Sequence, residues 1–141
     1  VSVIVESVIE LIGRTFTDKA GQTRNINWSD ILIVAPYNFQ VNKLKIAFSS
    51  MPGGENARVG SVDKFQGQEA PVVILSMCAS DANESPRGVD FLFDKNRLNV
   101  AISRAQSLAI VVANPALAST SVSGVKQLAK INMFSHLVQY K

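Results

Sequence analysis

Apolar residues recur along this chain in two rhythms. Val1, Ile4, Val5, Val8, Ile9 and Ile12 fall on one stripe at helical spacing, and Gly13 follows as a stop. That pattern predicts an opening helix. From Arg14 to Trp28 the chain turns polar, which predicts a loop. Ile31-Leu32-Ile33-Val34-Ala35 is then an unbroken apolar run, the pattern of a strand covered on both faces, and Pro36 ends it. A helix is expected from about Phe39 to Ser49, carrying Val41, Leu44, Ile46, Ala47 and Phe48, with Met51-Pro52-Gly53-Gly54 as its breaker. Short strands are expected over Arg58 to Val62 and Pro71 to Met77, and a polar loop over Ala79 to Gly88. A helix over Asn96 to Ala105, a fourth buried strand over Leu108 to Ala113 and a closing helix over Ser123 to Tyr140 complete the series. Helices alternating with β-rich apolar runs predict an α/β fold, a mainly parallel sheet between helices. Only about eight residues separate the two strands around Gly67, fewer than the dozen or so of an ordinary parallel crossover.

Composition narrows the functional classes. The 141 residues suit one domain spanning 1–141. With 47% hydrophobic and 18% charged residues the chain has material for a core, and extensive disorder is not expected. A net charge of +3 and a pI near 9.2 permit an anionic partner. The single cysteine, Cys78, allows neither an internal disulfide nor a Cys-based zinc site and suits a reducing, cytoplasmic setting. With His136 the only histidine, Ser-His-Asp chemistry and multi-histidine metal sites find no support, so no metal site is expected. No apolar run approaches the ~18 residues of a membrane span, so no membrane is expected as a partner. The chain opens on Val1, which suggests a piece of a longer protein.

Three segments could carry chemistry. Ala35-Pro36-Tyr37-Asn38-Phe39-Gln40 follows a buried strand, where ligands of open α/β sheets bind. Asn38 suits the N-cap of the next helix, and a plain cap and turn would explain it equally. Gly60 to Glu69 concentrates Asp63, Lys64, Gln66, Gln68 and Glu69 between two buried segments. Gly67 permits positive φ, Glu69 could accept two sugar hydroxyls and Lys64 suits phosphate, although a solvated loop also fits. In Asn96 to Ala105, Leu98, Ala101, Ile102 and Ala105 form an apolar helix face. Arg97 and Arg104 then lie on one line at its border, as phosphate ligands or as snorkelling surface residues. No Gly-x-x-x-x-Gly-Lys-Ser/Thr loop occurs, nor an apolar run ending in paired acids for Mg²⁺.

Taken in order, these segments resemble the second RecA-like domain of superfamily 1 helicases, of the P-loop NTPase fold. The branch is the Upf1-like and Dna2-like one (superfamily 1B), with bacterial proteins that join such a helicase to a RecB-like nuclease. Ile33 to Gln40 is similar to motif IV, Ser61 to Glu69 leading into Val72-Val73-Ile74-Leu75-Ser76 to motif V, and Arg97 to Ala105 to motif VI. The similarity runs from about Asp30 to Pro115. It implies that Arg104 is the arginine finger that reaches the γ-phosphate of ATP, a contact contributing on the order of 10³ to 10⁵ in rate. It implies that Glu69 meets the ATP ribose, that Gln66 and Gly67 shape that turn, and that Arg97 supports motif VI beside the nucleotide. Tyr37, Asn38, Gln40, Ser61 and Lys64 would meet the nucleic-acid backbone. The implied cofactor is ATP, with Mg²⁺ held by a first RecA-like domain that these residues do not include. The implied partners are that domain and single-stranded nucleic acid, DNA more than RNA, with 5′ to 3′ polarity. The family's second domain begins with another ATP-contacting arginine, expected to precede Val1. Such a domain would be inactive alone. Two other readings remain: a Mg²⁺-dependent phosphoesterase using Asp63, Glu69, Asp90 and Asp94, and a flavodoxin-like interaction module without catalysis.

Overall fold

A computed structural model describes residues 1–77, 94–114 and 116–117, with positions 125, 126, 128, 129, 132, 135 and 136 of the closing segment. Cys78, the expected loop from Ala79 to Gly88, Asp90, Pro115 and most of the expected closing helix lie outside the described residues. The positions described in that last stretch are helical.

Four parallel strands form the centre. They are β3 (Ile31–Val34), β4 (Arg58–Gly60), β5 (Ala70–Ser76) and β6 (Ala105–Val112), in the order β4-β3-β5-β6. Every residue of β3 and β5 is buried, as their unbroken apolar runs require of central strands. Alternation divides the core in two. Ile31, Ile33, Val72 and Ile74 face one layer with Ile4 and Val8 of α1 (Ser2–Leu11) and Val41, Leu44 and Phe48 of α2 (Asn38–Ser49). Leu32, Val34, Val73 and Leu75 face the other with Phe65, Leu117 and Leu98 and Ala101 of α3 (Lys95–Ile102). The result is helices on both faces of a parallel sheet, the expected RecA-like α/β architecture.

The crossover around Gly67 is short because β4 has only three residues, so the return path is brief. Residues 61–69 cross the end of β3 and run back along its face through a single 3₁₀ turn, Asp63–Phe65, which seats Phe65 in the core. Gly67 has φ +77°, as the turn demands.

Three expectations are corrected. Arg14 to Trp28 is no plain loop but holds an antiparallel hairpin, β1 (Thr15–Thr17) and β2 (Thr23–Asn25). Asp18 Oδ1 builds its turn by accepting from the backbone nitrogens of Ala20 and Gln22, both at 2.9 Å. In α1, Val1 and Ile9 are exposed, while Ile4 and Val8 alone are fully buried. The last strand is not buried: it pairs only with β5 among the described residues, and Gln106 to Ala109 are exposed. An apolar run cannot by itself distinguish a central strand from an outer one.

Candidate functional site

The residues singled out by sequence gather at two ends of the sheet. At the C-terminal ends of the strands, Tyr37 takes the N-cap position of α2 with extended backbone and no side-chain cap. Asn38 is therefore the first helical residue, not the cap. Pro36 bars helix at the residue before it, and Tyr37 is where the chain turns. Gln40 points inward, only 8% exposed, and its Nε2 donates to Ser76 Oγ at 3.3 Å. It ties α2 to the end of β5 rather than facing solvent. Ser61 stands half-buried beyond β4, beside a cleft shared with Pro36, Val62, Leu75, Met77 and Arg97. Lys64 folds back on its own loop: its Nζ donates to the Val59 carbonyl at 3.4 Å and lies 5.7 Å from the centre of the Phe65 ring.

At the N-terminal ends of β5 and β6 the sheet brings Glu69 and Arg104 together across a long stretch of sequence. The Ala70 amide donates to the Arg104 carbonyl at 3.0 Å, and Ala70 pairs with Ala105. Gln106 Nε2 donates to Glu69 Oε2 at 3.3 Å. The Nε of Arg104 is buried and has no hydrogen-bond partner among the described residues. Such a nitrogen is costly to leave unpaired and calls for a further acceptor.

Arg104 was expected on the α3 helix and is not there. Asp94 starts α3, its Oδ1 accepting from the amides of Asn96 at 2.9 Å and Arg97 at 3.1 Å. The helix stops at Ile102, Ser103 Oγ turns back to the Val100 carbonyl at 2.9 Å, and β6 begins at Ala105. Arg104 thus sits in the connecting turn. Arg97, in the first turn of α3, lies near the opposite end of the sheet, so the two arginines do not share one helical line.

Gln66 occupies an intermediate place. With Val62, Asp63, Asn96, Arg97 and Val100 it lines an open groove of ≈ 150 Å³ between the 3₁₀ turn and α3. Sequence reasoning missed Arg58. From the start of β4 its guanidinium donates to Gln68 Oε1 at 2.7 Å, to the Glu69 carbonyl at 3.4 Å and to the Ser29 carbonyl at 3.2 Å. No local spacing links residue 58 to residue 69, and only their shared sheet end does. Asp63, Glu69 and Asp94 do not converge: among the described residues no three His, Cys, Asp or Glu side chains group to hold a metal ion.

Residues 2–116 match a protein family described as an AAA domain. The chain belongs to that family. The putative helicase mov-10-B.2 of Danio rerio is 40% identical over 104 residues, covering 67% of this chain and 10% of that protein. The human RNA helicase Mov10l1 is 41% identical over 93 residues, covering 64% and 8%. The Drosophila melanogaster regulator of nonsense transcripts 1 homolog is 33% identical over 114 residues, covering 77% and 8%. The chain spans about a tenth of the length of the curated relatives it matches.

With its parallel sheet between helices, this AAA domain is a helicase domain of the superfamily 1 type. Nucleotide use is the family's common property, and the Glu69–Arg104 end suits it chemically. An exposed carboxylate with several acceptor positions is matched to paired hydroxyls. Arg104, its Nε unpaired among the described residues, carries the donors that a phosphate oxygen can accept. No helix among the described residues is long and apolar enough to cross a membrane.

Proposed function

We propose that residues 1–141 are the C-terminal motor subdomain of an ATP-dependent helicase, completed by a first RecA-like domain of the same parent chain. The observation that carries this is the junction of β5 and β6, where the backbones next to Glu69 and Arg104 pair and the Arg104 Nε is buried with no partner among the described residues. Arg104 acts as the arginine finger and pairs with charge that develops on the γ-phosphate of ATP. Glu69 accepts hydrogen bonds from the ribose, with Gln106 and Arg58 fixing its side chain and backbone. Gln66 and Gly67 set the turn leading to it. The other domain supplies the phosphate loop and Mg²⁺, because this sequence contains no Gly-x-x-x-x-Gly-Lys-Ser/Thr. Arg97 stands at the other end of α3 and supports the cleft beside Ser61.

Tyr37, Asn38, Ser61 and Lys64, at the C-terminal ends of the strands, form part of a track for single-stranded nucleic acid. Gln40 serves this track from beneath by its bond to Ser76. One relative is named an RNA helicase and another a regulator of nonsense transcripts, so RNA stands beside DNA as the strand to be tested. A cytoplasmic setting and kinship with nuclease–helicase fusions belong to the same proposal, and rest on the lone cysteine and the motif pattern respectively.

The test is ATP turnover by the intact parent protein with nucleic acid present. Arg104→Ala should slow hydrolysis at least about 10²-fold while leaving ATP affinity within a few-fold, because the contact strengthens as transition-state charge develops. Unchanged turnover per folded molecule would sink the assignment.

A further inference from the structure

We propose that Phe39, with Lys43 one helical turn further on, is a stacking platform for a base of the bound single strand. This rests on the strand-binding part of the proposed function and adds a base contact to a track otherwise read as meeting phosphate.

The outer face of α2 carries the case. Val41, Leu44 and Phe48 already furnish the inner face, buried against the sheet. Phe39 adds nothing to that core, being 68% exposed in the first turn of the helix. It stands two residues from Tyr37, at the C-terminal end of the sheet where the predicted strand contacts lie. Lys43 Nζ lies over the ring, 4.3 Å from its centroid. The i, i+4 spacing places both side chains on one helix face, so the ammonium settles the ring's orientation. Most of the ring remains in solvent, open to another planar group.

Charge selects the occupant. Asn38–Ser49 contains Lys43 and Lys45 and no Asp or Glu. A polyanion gains from the charge of that face, which also carries the exposed Ile46 two helical turns from Phe39. A nucleobase needs only a π-face to stack, with the next phosphate within reach of the lysine. Stacking of this kind tolerates any base, which suits a protein that moves along a strand.

Equilibrium binding of the 141-residue chain to labelled oligothymidylate and oligouridylate of about 12 nucleotides, without ATP, tests it. Phe39→Ala and Phe39→Leu should each weaken binding at least about fivefold at fixed salt, and Phe39→Trp should restore it. On an abasic strand of equal charge, the difference between Phe39 and its Ala variant should vanish. Lys43→Gln should lower the slope of log affinity against log salt by about one. Circular dichroism should match for all variants, since Phe39 is outside the core. Binding by Phe39→Leu equal to the parent, binding by Phe39→Trp as weak as by Phe39→Ala, or no binding of either strand at low salt would overturn the proposal. The Arg104 experiment reads turnover and this one reads strand affinity, so either can fail alone.

Discussion

The guanidinium of Arg104 keeps one buried nitrogen without a partner among the described residues, which allows its contribution to stability to be tested apart from its proposed function. Removing a buried donor that is already unsatisfied forfeits no internal hydrogen bond, so Arg104→Ala should cost within about 1 kcal/mol of stability. Arg104→Lys should rescue turnover poorly, because an ammonium cannot fork onto two oxygens. Glu69→Ala should show the opposite kinetic pattern, raising KM for ATP more than it lowers kcat, since a ribose contact is made equally in ground and transition states. Melting temperature, KM and kcat of the parent protein carrying each variant check all three; a Glu69→Ala variant with kcat lost and KM unchanged would contradict the ribose role. Two glycines give a contrast of purely steric origin. A Cβ on Gly54 would lie 2.0 Å from the Phe48 carbonyl oxygen, so backbone must move. A Cβ on Gly67 would meet nothing within 4 Å, and only its positive φ of +77° opposes substitution. Gly67→Ala should therefore cost about 1–2 kcal/mol in urea unfolding. Gly54→Ala should cost about 3 kcal/mol or more, beyond the usual range of overpacking.

Among the described elements, the approach to β3 is the one with a marked electrostatic signature. Asp30 is buried at the end of the 3₁₀ turn Trp28–Asp30, and both terminal nitrogens of Arg24 donate to it, at 2.6 and 2.5 Å. The Asn27 amide donates to the same carboxylate at 2.9 Å and completes a capping box. The hydrogen bonds from Arg24, ahead of the opposing effect of burial, hold the Asp30 carboxyl below its ordinary range. An unfolded chain takes up that proton more readily, at the usual aspartate value of about 3.9. The stability contributed is thus complete above that pH and is lost as pH falls through the lower folded value. Asp30→Asn should lower Tm by several degrees at neutral pH and flatten the dependence of Tm on pH below about 4. Parallel acid losses in parent and variant would assign the acid sensitivity to another carboxylate. The same turn offers its Ser29 carbonyl to Arg58, so the hairpin, the turn before β3 and the Gln68–Glu69 segment are linked through backbone and side-chain bonds.

For the whole molecule, the separation of the two sets of residues matters most. Glu69 and Arg104 lie at the N-terminal ends of β5 and β6, while Tyr37, Ser61 and Arg97 lie toward the C-terminal ends. Under the proposed function, strand binding and nucleotide contact would use different edges of one sheet, a geometry in which a cleft partner and a strand can engage together. The chain by itself should turn over no ATP above buffer, because a phosphate loop is missing from its sequence. It should bind single strands weakly, indifferent to base sequence, with affinity falling steeply as salt rises. Turnover abolished by Arg104→Ala in the pure chain, or salt-independent binding, would contradict these two expectations.

The sequence by itself determined the layering and supplied most of the candidates for the site. The unbroken apolar run Ile31 to Val34 is satisfied between two covering layers, and the helical stripe of α2 supplies one of them. The order of motifs, from Tyr37 through Glu69 to Arg104, also needed no coordinates. What tertiary structure alone decided was position between distant segments. Whether β6 is central or outer depends on its neighbours, which an apolar run does not encode. The turn placing Arg104 outside α3 follows from where β6 must begin to pair with Ala70. Arg58 holding Gln68 and the Glu69 backbone, and Gln40 turned inward to Ser76, are contacts across the sheet between residues whose local sequence carries no sign of each other. Local periodicity reports which faces are buried; only packing reports what they are buried against.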